Sequence, residues 1–492
     1  MGDDRHVWWI AALGAGACAG LALPPLGWPW LLWPCLAVLW AVAASAPAPA
    51  LPALLWGLSL VLVSHRWLLW LHPLDWVGVP APLSLPLCGL LWLLVGGLGG
   101  LLVAAWAVLV RLLNPARPAT ALLAAALWGL AEVLLARGPL FWIGLGAAAL
   151  PGDPALAGLG RLLGAGGLAL VQLLIGWSLW RLWGRLRAGS RRGAALGLAL
   201  ALLLGSHLLG LQQLRRADAV AAEPGAEQTL LLLQPAIPTR RKFAPDQQRL
   251  LLERVAAAQG QAAAGAAPLL VLPEGALALG QPLPLRAPVE VLAGGFRLSG
   301  DSLRSSLLQL APGHTQASAW VDKHRLVPLG EWVPFSGLLR WSGLSAVGGV
   351  EPGAPSRLLR RDGGAIGVAI CYEIADGVAL ADAARAGAGW LLATANLDPY
   401  PAALHSQFLA LARLRALETG RWLVSAANTG PTLAVDPAGD LHGAVAPFAP
   451  GAALVRLRPG RPLTPYLRWG ETPLLLLLAG AVLLRFGQPA QS

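Results

Sequence analysis

The chain carries two kinds of hydrophobic pattern. Over residues 7–212 apolar residues run almost unbroken between short Pro-, Gly- or Arg-containing connections, and over 213–465 short apolar runs alternate with polar stretches. A transmembrane helix needs about 20 mostly apolar residues. The first part therefore predicts membrane helices near 7–23, 28–45, 51–71, 83–110, 119–136, 161–180 and 194–211. A further apolar run at 472–486 is shorter, with an uninterrupted core from Leu474 to Leu484, so it reads as a span or as an interfacial helix. More spans follow the first at once and no small-residue cleavage site intervenes, so it does not read as a removable signal peptide.

In the polar part the period changes. Thr229–Gln234, Pro268–Leu272, Ala365–Ile370 and Trp422–Ala426 read as strands. A helix is expected over Gln247–Ala258 with Asp246 as its cap, and another over His405–Thr419, ended by Gly420. Asp436-Pro437-Ala438-Gly439 has the composition of a turn between strands. Strands alternating with helices predict an α/β sandwich. The expected division is a transmembrane domain over 1–212 with about seven helices, an α/β domain over 213–465, and a C-terminal membrane helix with a short tail over 466–492.

Charge sharpens this picture. Only 12% of residues are charged, against about 25% in an ordinary soluble chain. The net charge of +11 comes largely from arginine beside apolar runs, and the polar half has no basic stripe with interleaved aromatics, so no nucleic-acid partner is expected. Arg111 and Arg117 follow the fourth span, and Arg181, Arg185, Arg187, Arg191 and Arg192 join the sixth to the seventh. Placing both groups in the cytoplasm requires a cytoplasmic N-terminus and puts 213–465 outside, with Arg485 cytoplasmic again. Glu132 and Arg137, at the end of the fifth span, read either as substrate contacts or as helix-end anchors. Trp28, Trp30, Trp33, Trp67 and Trp70 read as an interfacial belt.

Of the four cysteines, Cys18, Cys35 and Cys88 lie in apolar runs, which leaves Cys371 alone in the polar half with no partner for a disulfide there. Histidines are scattered and no metal-binding spacing occurs, so neither a metal nor a cofactor is expected. Lysine has almost vanished in favour of arginine, and only Lys242 and Lys323 remain. A lysine that survives such a bias stands out.

Three segments carry candidate chemistry. Leu270-Val271-Leu272-Pro273-Glu274 is an apolar strand ending in a carboxylate, Lys323 opens a polar segment running to Glu331, and Gly367-Val368-Ala369-Ile370-Cys371 is a buried strand ending in a thiol. A nucleophilic thiol needs a base or a cation nearby. Glu274 would take the thiol proton, and Lys323 would hold the thiolate and then the developing oxyanion. A lone cysteine ending a strand is more often inert core, but a cysteine and a rare lysine in matching contexts weaken that reading. A Cys371–His324 dyad ranks lower, because His324 adjoins Lys323 and strand neighbours face opposite ways. A serine hydrolase lacks its Gly-x-Ser-x-Gly elbow.

At these motifs the sequence resembles the apolipoprotein N-acyltransferases, the membrane-embedded branch of the carbon–nitrogen hydrolase (nitrilase) superfamily. The resemblance rests on Leu23-Pro24-Pro25-Leu26-Gly27-Trp28, Pro273-Glu274, Lys323-His324-Arg325-Leu326-Val327-Pro328-Leu329-Gly330-Glu331, Cys371-Tyr372-Glu373, Arg415–Arg421 and Ala426–Gly430. It implies a nitrilase-like αββα sandwich outside the cytoplasm of a bacterial inner membrane. The implied reaction moves an acyl chain from a phospholipid, typically phosphatidylethanolamine, to a cysteine and then to the α-amine of a diacylglyceryl-cysteine lipoprotein. By the resemblance Glu274 is the base, Lys323 stabilises charge and Cys371 is the nucleophile, with Glu331, Tyr372 and Glu373 in support.

Departures from the family pattern fall at Phe243, where a tryptophan is expected, at Ser305, where an asparagine is usual, and over 396–400. They bear on acyl-donor selectivity. The segment after Glu331, with Leu338, Leu339 and Trp341, reads either as a lid dipping into the outer leaflet or as a buried loop. Two other functions compete: a membrane-tethered amidase that passes its acyl group to water, and a transporter with an accessory domain. The transporter is disfavoured by the scarcity of charge within the spans.

Overall fold

In a computed structural model, the residues described are 4–75, 79–189, 193–221, 226–242, 244–328, 331, 349–460 and 462–486. Helices Asp4–Ala22, Pro29–Ser45, Ala50–Ser64, Ala81–Leu112, Pro118–Ala136, Gly160–Arg187 and Gly193–Ala221 occupy the seven expected apolar runs. Four are long and apolar enough to cross a membrane, namely Ala81–Leu112, Pro118–Ala136, Gly160–Arg187 and Gly193–Ala219. Pro29–Ser45, Ala50–Ser64 and Thr472–Arg485 are shorter apolar helices.

Small residues let these helices approach closely, as they must where burial from lipid adds little driving force. A Cβ on Gly100 would lie 2.8 Å from the Leu54 carbonyl oxygen, and one on Gly20 2.6 Å from that of Leu60. The run 51–71 divides into Ala50–Ser64 and a 3-10 turn Arg66–Leu71. At the break the Ser64 carbonyl accepts from Gln407 Nε2 at 2.8 Å. Trp28, Trp30 and Trp70 are exposed as a belt would be, but Trp33 and Trp67 are buried. Trp67 instead meets the Phe141 and Tyr400 rings edge-on, where the bundle touches the polar domain.

The polar half is a two-sheet sandwich. One sheet has the order β12-β1-β2-β3-β4-β5, where β1 is Gln228–Gln234, β2 Leu269–Leu277, β3 Glu290–Ser299, β4 Ser302–Leu310, β5 Ala319–Asp322 and β12 Gly451–Leu457. The other has the order β11-β10-β9-β8-β7-β6, with β6 Leu358–Leu359, β7 Ile366–Ile370, β8 Trp390–Ala395, β9 Leu423–Ala427, β10 Leu433–Val435 and β11 Leu441–His442. Alternation builds the layers. Leu230 and Leu232 face Val368, Ile370 and Leu392 between the sheets. Leu231 and Leu233 face outward onto Leu251 and Val255 of the helix Pro245–Ala264, and Leu391 and Leu423 face Phe408 and Leu411 of Ala402–Thr419.

Local signals behave unevenly. Gly420 ends Ala402–Thr419 in the left-handed conformation its position demands. The Asp436 carboxylate accepts from Ala438 and Asp440 N–H in the expected turn. Asp246 is not the cap of its helix: Ala244 holds that position without a side-chain bond, and Asp246 lies in the first turn paired with Arg241 at 3.0 Å. Pro245 sets that start, since its fixed φ and missing N–H suit the first turn.

The sandwich sits on the bundle through Ala402–Thr419. Its Ala410, Leu414 and Leu417 pack with Leu156, Leu159 and Leu168. The Ala165 N–H, beside the break at Gly164 in Gly160–Arg187, donates to Glu418 Oε1 at 2.8 Å. Arg325 adds a polar tie, donating to the Ala136 carbonyl at 2.8 Å and to that of Gly138.

Candidate active site

Cys371 stands at the junction of β7 and a 3-10 turn, Cys371–Ala375, with φ +57. A left-handed backbone is uncommon for a residue with a Cβ and persists only when its surroundings enforce it. Here the enforcing group is Glu373, whose Oε2 accepts the Ile370 N–H at 2.9 Å. The turn brings the Tyr372 N–H next to the sulfur, where it favours negative charge.

Opposite the thiol, Lys323 follows β5 and is almost fully enclosed. Its ammonium donates to Glu274 Oε1 at 2.9 Å and to Glu331 Oε1 at 2.7 Å. Burial alone would lower this lysine, but Glu274, Glu331 and Cys371 together hold it well above its ordinary range. Glu331 is also fixed by the Val327 N–H, which donates to Oε2 at 2.9 Å. Burial raises the Glu331 carboxyl, and Lys323 only partly opposes this.

Glu274 lies where β2 loses its regular pairing with β3, between Leu272 and Leu277. The irregularity turns the carboxylate toward Lys323, and its second oxygen accepts the Asn396 N–H at 2.9 Å. Gly294 is required beneath it, because a Cβ there would run into the backbone of Pro273 and Glu274.

Burial first, and then the charge of Glu274, push the Cys371 thiol far above its usual range, against the opposing pull of Lys323. The resting Cys371 side chain is therefore a neutral thiol. Two carboxylates share one ammonium beside it, so a proton leaving sulfur has an acceptor within the cluster. Such an arrangement suits covalent acyl transfer.

The structure gathers Glu274, Lys323, Glu331 and Cys371 into one electrostatic cluster. Tyr372 and Glu373 act at its edge. The Tyr372 hydroxyl donates to the Leu326 carbonyl at 2.7 Å, and its ring lies under the Arg325 guanidinium at 4.9 Å. His324 is exposed and bonds the Gly353 carbonyl through Nδ1 at 2.8 Å, so it forms no dyad with the thiol. Glu132 is an internal anchor, accepting from Trp128 Nε1 and the Leu145 N–H at 2.8 Å each. Phe243, Leu338, Leu339 and Trp341 lie outside the described residues.

Sequence reasoning missed Arg357, and it marked Asn396 and Tyr400 only as part of the departing stretch 396–400, without a place at the site. Arg357 precedes β6 and binds Glu373, but no pattern near it distinguishes it from the chain's other arginines. Asn396 acts through its backbone N–H, which any residue but proline supplies. Tyr400 is half-buried, and desolvation first and Cys371 second raise its hydroxyl pKa.

Residues 286–459 match the carbon-nitrogen hydrolase family. Curated relatives cover nearly the whole chain. An apolipoprotein N-acyltransferase of Prochlorococcus marinus (strain MIT 9313) is 49% identical over 98% of this chain and 96% of its own length. Another, from Parasynechococcus marenigrum (strain WH8102), is 46% identical over 95% of this chain and 98% of its own. A third, from a second strain of Prochlorococcus marinus, is 43% identical over 96% of each.

Proposed function

This chain belongs to the apolipoprotein N-acyltransferase family, and from that premise we propose a two-step acyl transfer through Cys371. It is a membrane-protein acyltransferase with a carbon–nitrogen hydrolase fold. The observation that carries the residue assignment is Lys323, held between Glu274 and Glu331 at 2.9 and 2.7 Å beside the thiol.

In the first step Cys371 Sγ attacks the ester carbonyl carbon of a phospholipid, phosphatidylethanolamine in this reading, while the thiol proton passes to Glu274. Lys323 and the Tyr372 N–H face the oxyanion that forms. Collapse breaks the bond to the glycerol oxygen, which leaves with the proton from Glu274 as lysophospholipid. In the second step the α-amine of a diacylated lipoprotein attacks the thioester. Glu274 takes the amine proton and returns it to the departing sulfur. Glu331 keeps Lys323 aimed, and Tyr372 and Glu373 hold the turn.

Location follows the chemistry. Both substrates are anchored in lipid, and exposing an acyl chain to water costs about 0.8 kcal/mol per CH₂. A sandwich resting on the bundle avoids that exposure. The arginine distribution favours a periplasmic catalytic domain on the bacterial inner membrane and a cytoplasmic N-terminus.

Mass spectrometry of the full chain incubated with phosphatidylethanolamine tests the scheme. A fatty acyl adduct on Cys371 that a diacylated lipopeptide discharges is expected. Discharge to water alone would make the protein a hydrolase and favour the membrane-tethered amidase reading, and no adduct would reject the covalent route.

A further inference from the structure

The chain's two lysines converge on one carboxylate. Lys323 pairs with Glu274 directly, while Lys242, in the loop after β1, lies near the same strand end and senses the same carboxylate. A Cβ placed on Gly275, the residue after Glu274, would fall 2.5 Å from Lys242 Nζ. Gly275 therefore leaves the space that the ammonium occupies, and its φ of +66 suits glycine in any case.

Unlike that of Lys323, the Lys242 ammonium has no hydrogen-bond or ion-pair partner among the described residues. Both oxygens of Glu274 are already engaged, one by Lys323 and one by the Asn396 N–H. The Lys242 side chain is half-buried, so its ammonium keeps a solvent-facing side. Burial lowers its pKa, and the nearby Glu274 opposes that. The ammonium is thus held in place and still has an open side on which a second anion can meet it.

The loop is built to hold this position. The Thr239 N–H donates to Asp398 at 2.7 Å, and the Thr239 hydroxyl donates to Asn396 Oδ1 at 3.1 Å, so the residue that orients Glu274 also anchors the loop. Arg240 reaches the Pro73 carbonyl at 3.4 Å, on the connection between membrane helices. A lysine here also stands out, in a chain that uses arginine almost everywhere else. Its ammonium is a compact point charge rather than a planar fork.

We propose that Lys242 is the subsite for the phosphodiester of the lipid acyl donor, binding its anionic oxygen while the ester carbonyl lies at Cys371. This rests on the phospholipid donor proposed above. Lys242 then selects a charged lipid over a neutral ester without taking part in bond making.

The test compares Lys242→Met with the unaltered full chain in detergent micelles, following single-turnover acylation of Cys371. One donor is phosphatidylethanolamine and the other is p-nitrophenyl palmitate, which has no phosphate. The phospholipid-to-neutral-ester rate ratio is expected to fall by ~10- to 100-fold, the range for losing a hydrogen bond to a charged group. An equal loss on both donors would show that Lys242 acts through Glu274, and an unchanged ratio would show a solvated lysine; either overturns the subsite. If the unaltered chain takes no acyl group from phosphatidylethanolamine, the donor reading fails first and the subsite with it.

Discussion

Arg357 and Glu373 form a buried clasp that holds the two halves of the catalytic cluster in register. Arg357 Nη1 donates to both Glu373 oxygens, at 3.2 and 3.0 Å, and Nη2 donates to the Asp322 carbonyl at 2.7 Å. Glu373 in turn accepts the His324 and Arg325 N–H groups at 2.8 and 3.0 Å and the Ile370 N–H at 2.9 Å. The pair thus grips the backbone on both sides of Lys323 and the residue before Cys371.

Removing one partner should be severe. Arg357→Met strands a buried carboxylate, and breaking a buried pair this way costs about 3–5 kcal/mol. Thermal unfolding should shift down markedly, and Cys371 acylation should slow in the protein that remains folded. Arg357→Lys restores the charge without the fork and should recover only part of both. An unaltered melting curve for Arg357→Met would refute the clasp.

Lys323→Met should reduce single-turnover acylation by about 10²–10³, the usual loss when one oxyanion donor is removed. Arg should not rescue it. The site is closed, with the Lys323 side chain 1% exposed and carboxylate oxygens at 2.7 and 2.9 Å, so a planar fork has no room. Full activity of Lys323→Arg would argue that only charge matters there.

The Cys371 thiol gives an opposed pair of readouts. Held far above the ordinary 9.0 by burial and by Glu274, it should alkylate with iodoacetamide more slowly near neutral pH than an unperturbed thiol, with a rate still climbing past pH 9.0. Glu274→Gln deletes a negative neighbour and should lower the thiol pKa, so alkylation should speed up. Acyl transfer should nevertheless be lost, because the proton acceptor is gone. If alkylation and acylation moved together, Glu274 would not be the base.

Glu418 links stability to pH at the seat of the sandwich on the bundle. Burial raises its carboxyl from 4.5 to about 7, against the opposing charge of Arg415. The folded state therefore holds this proton more tightly than the unfolded chain does. Its contribution is full below about pH 4.5 and is lost as pH rises through about 7, a change of about 3 kcal/mol. Glu418→Gln should flatten the melting temperature across that window, and a pH profile like that of the unaltered protein would contradict the assignment.

Much of the architecture was readable from local pattern. The seven apolar runs are helices, the strands at β1, β2, β7 and β9 lie within a few residues of their expected positions, and Gly420 ends its helix as composition suggests. The last helix before the sandwich runs on to Ala221, past the expected limit at 212, because nothing in its polar final turns breaks a helix. Asp246 failed as a cap because Pro245 competes for the same helix start.

Scarcity marked Cys371 and Lys323, and the end of an apolar strand together with the family motif marked Glu274, all of which are visible in one dimension. Their partnership was not. Whether an ammonium meets one carboxylate or two depends on strands far apart in sequence: Glu274 belongs to β2, while Lys323 follows β5. Arg357, one arginine among many, became a clasp only when folding placed it under Glu373. Lys242 was conspicuous by its rarity, but its open ammonium above Gly275 exists only in the folded chain. Periodicity and composition are properties of neighbours along the chain, and they determined which elements form and which side chains carry chemistry. Distance, burial and partner number are properties of neighbours in space, so the tertiary structure alone decided how those side chains meet.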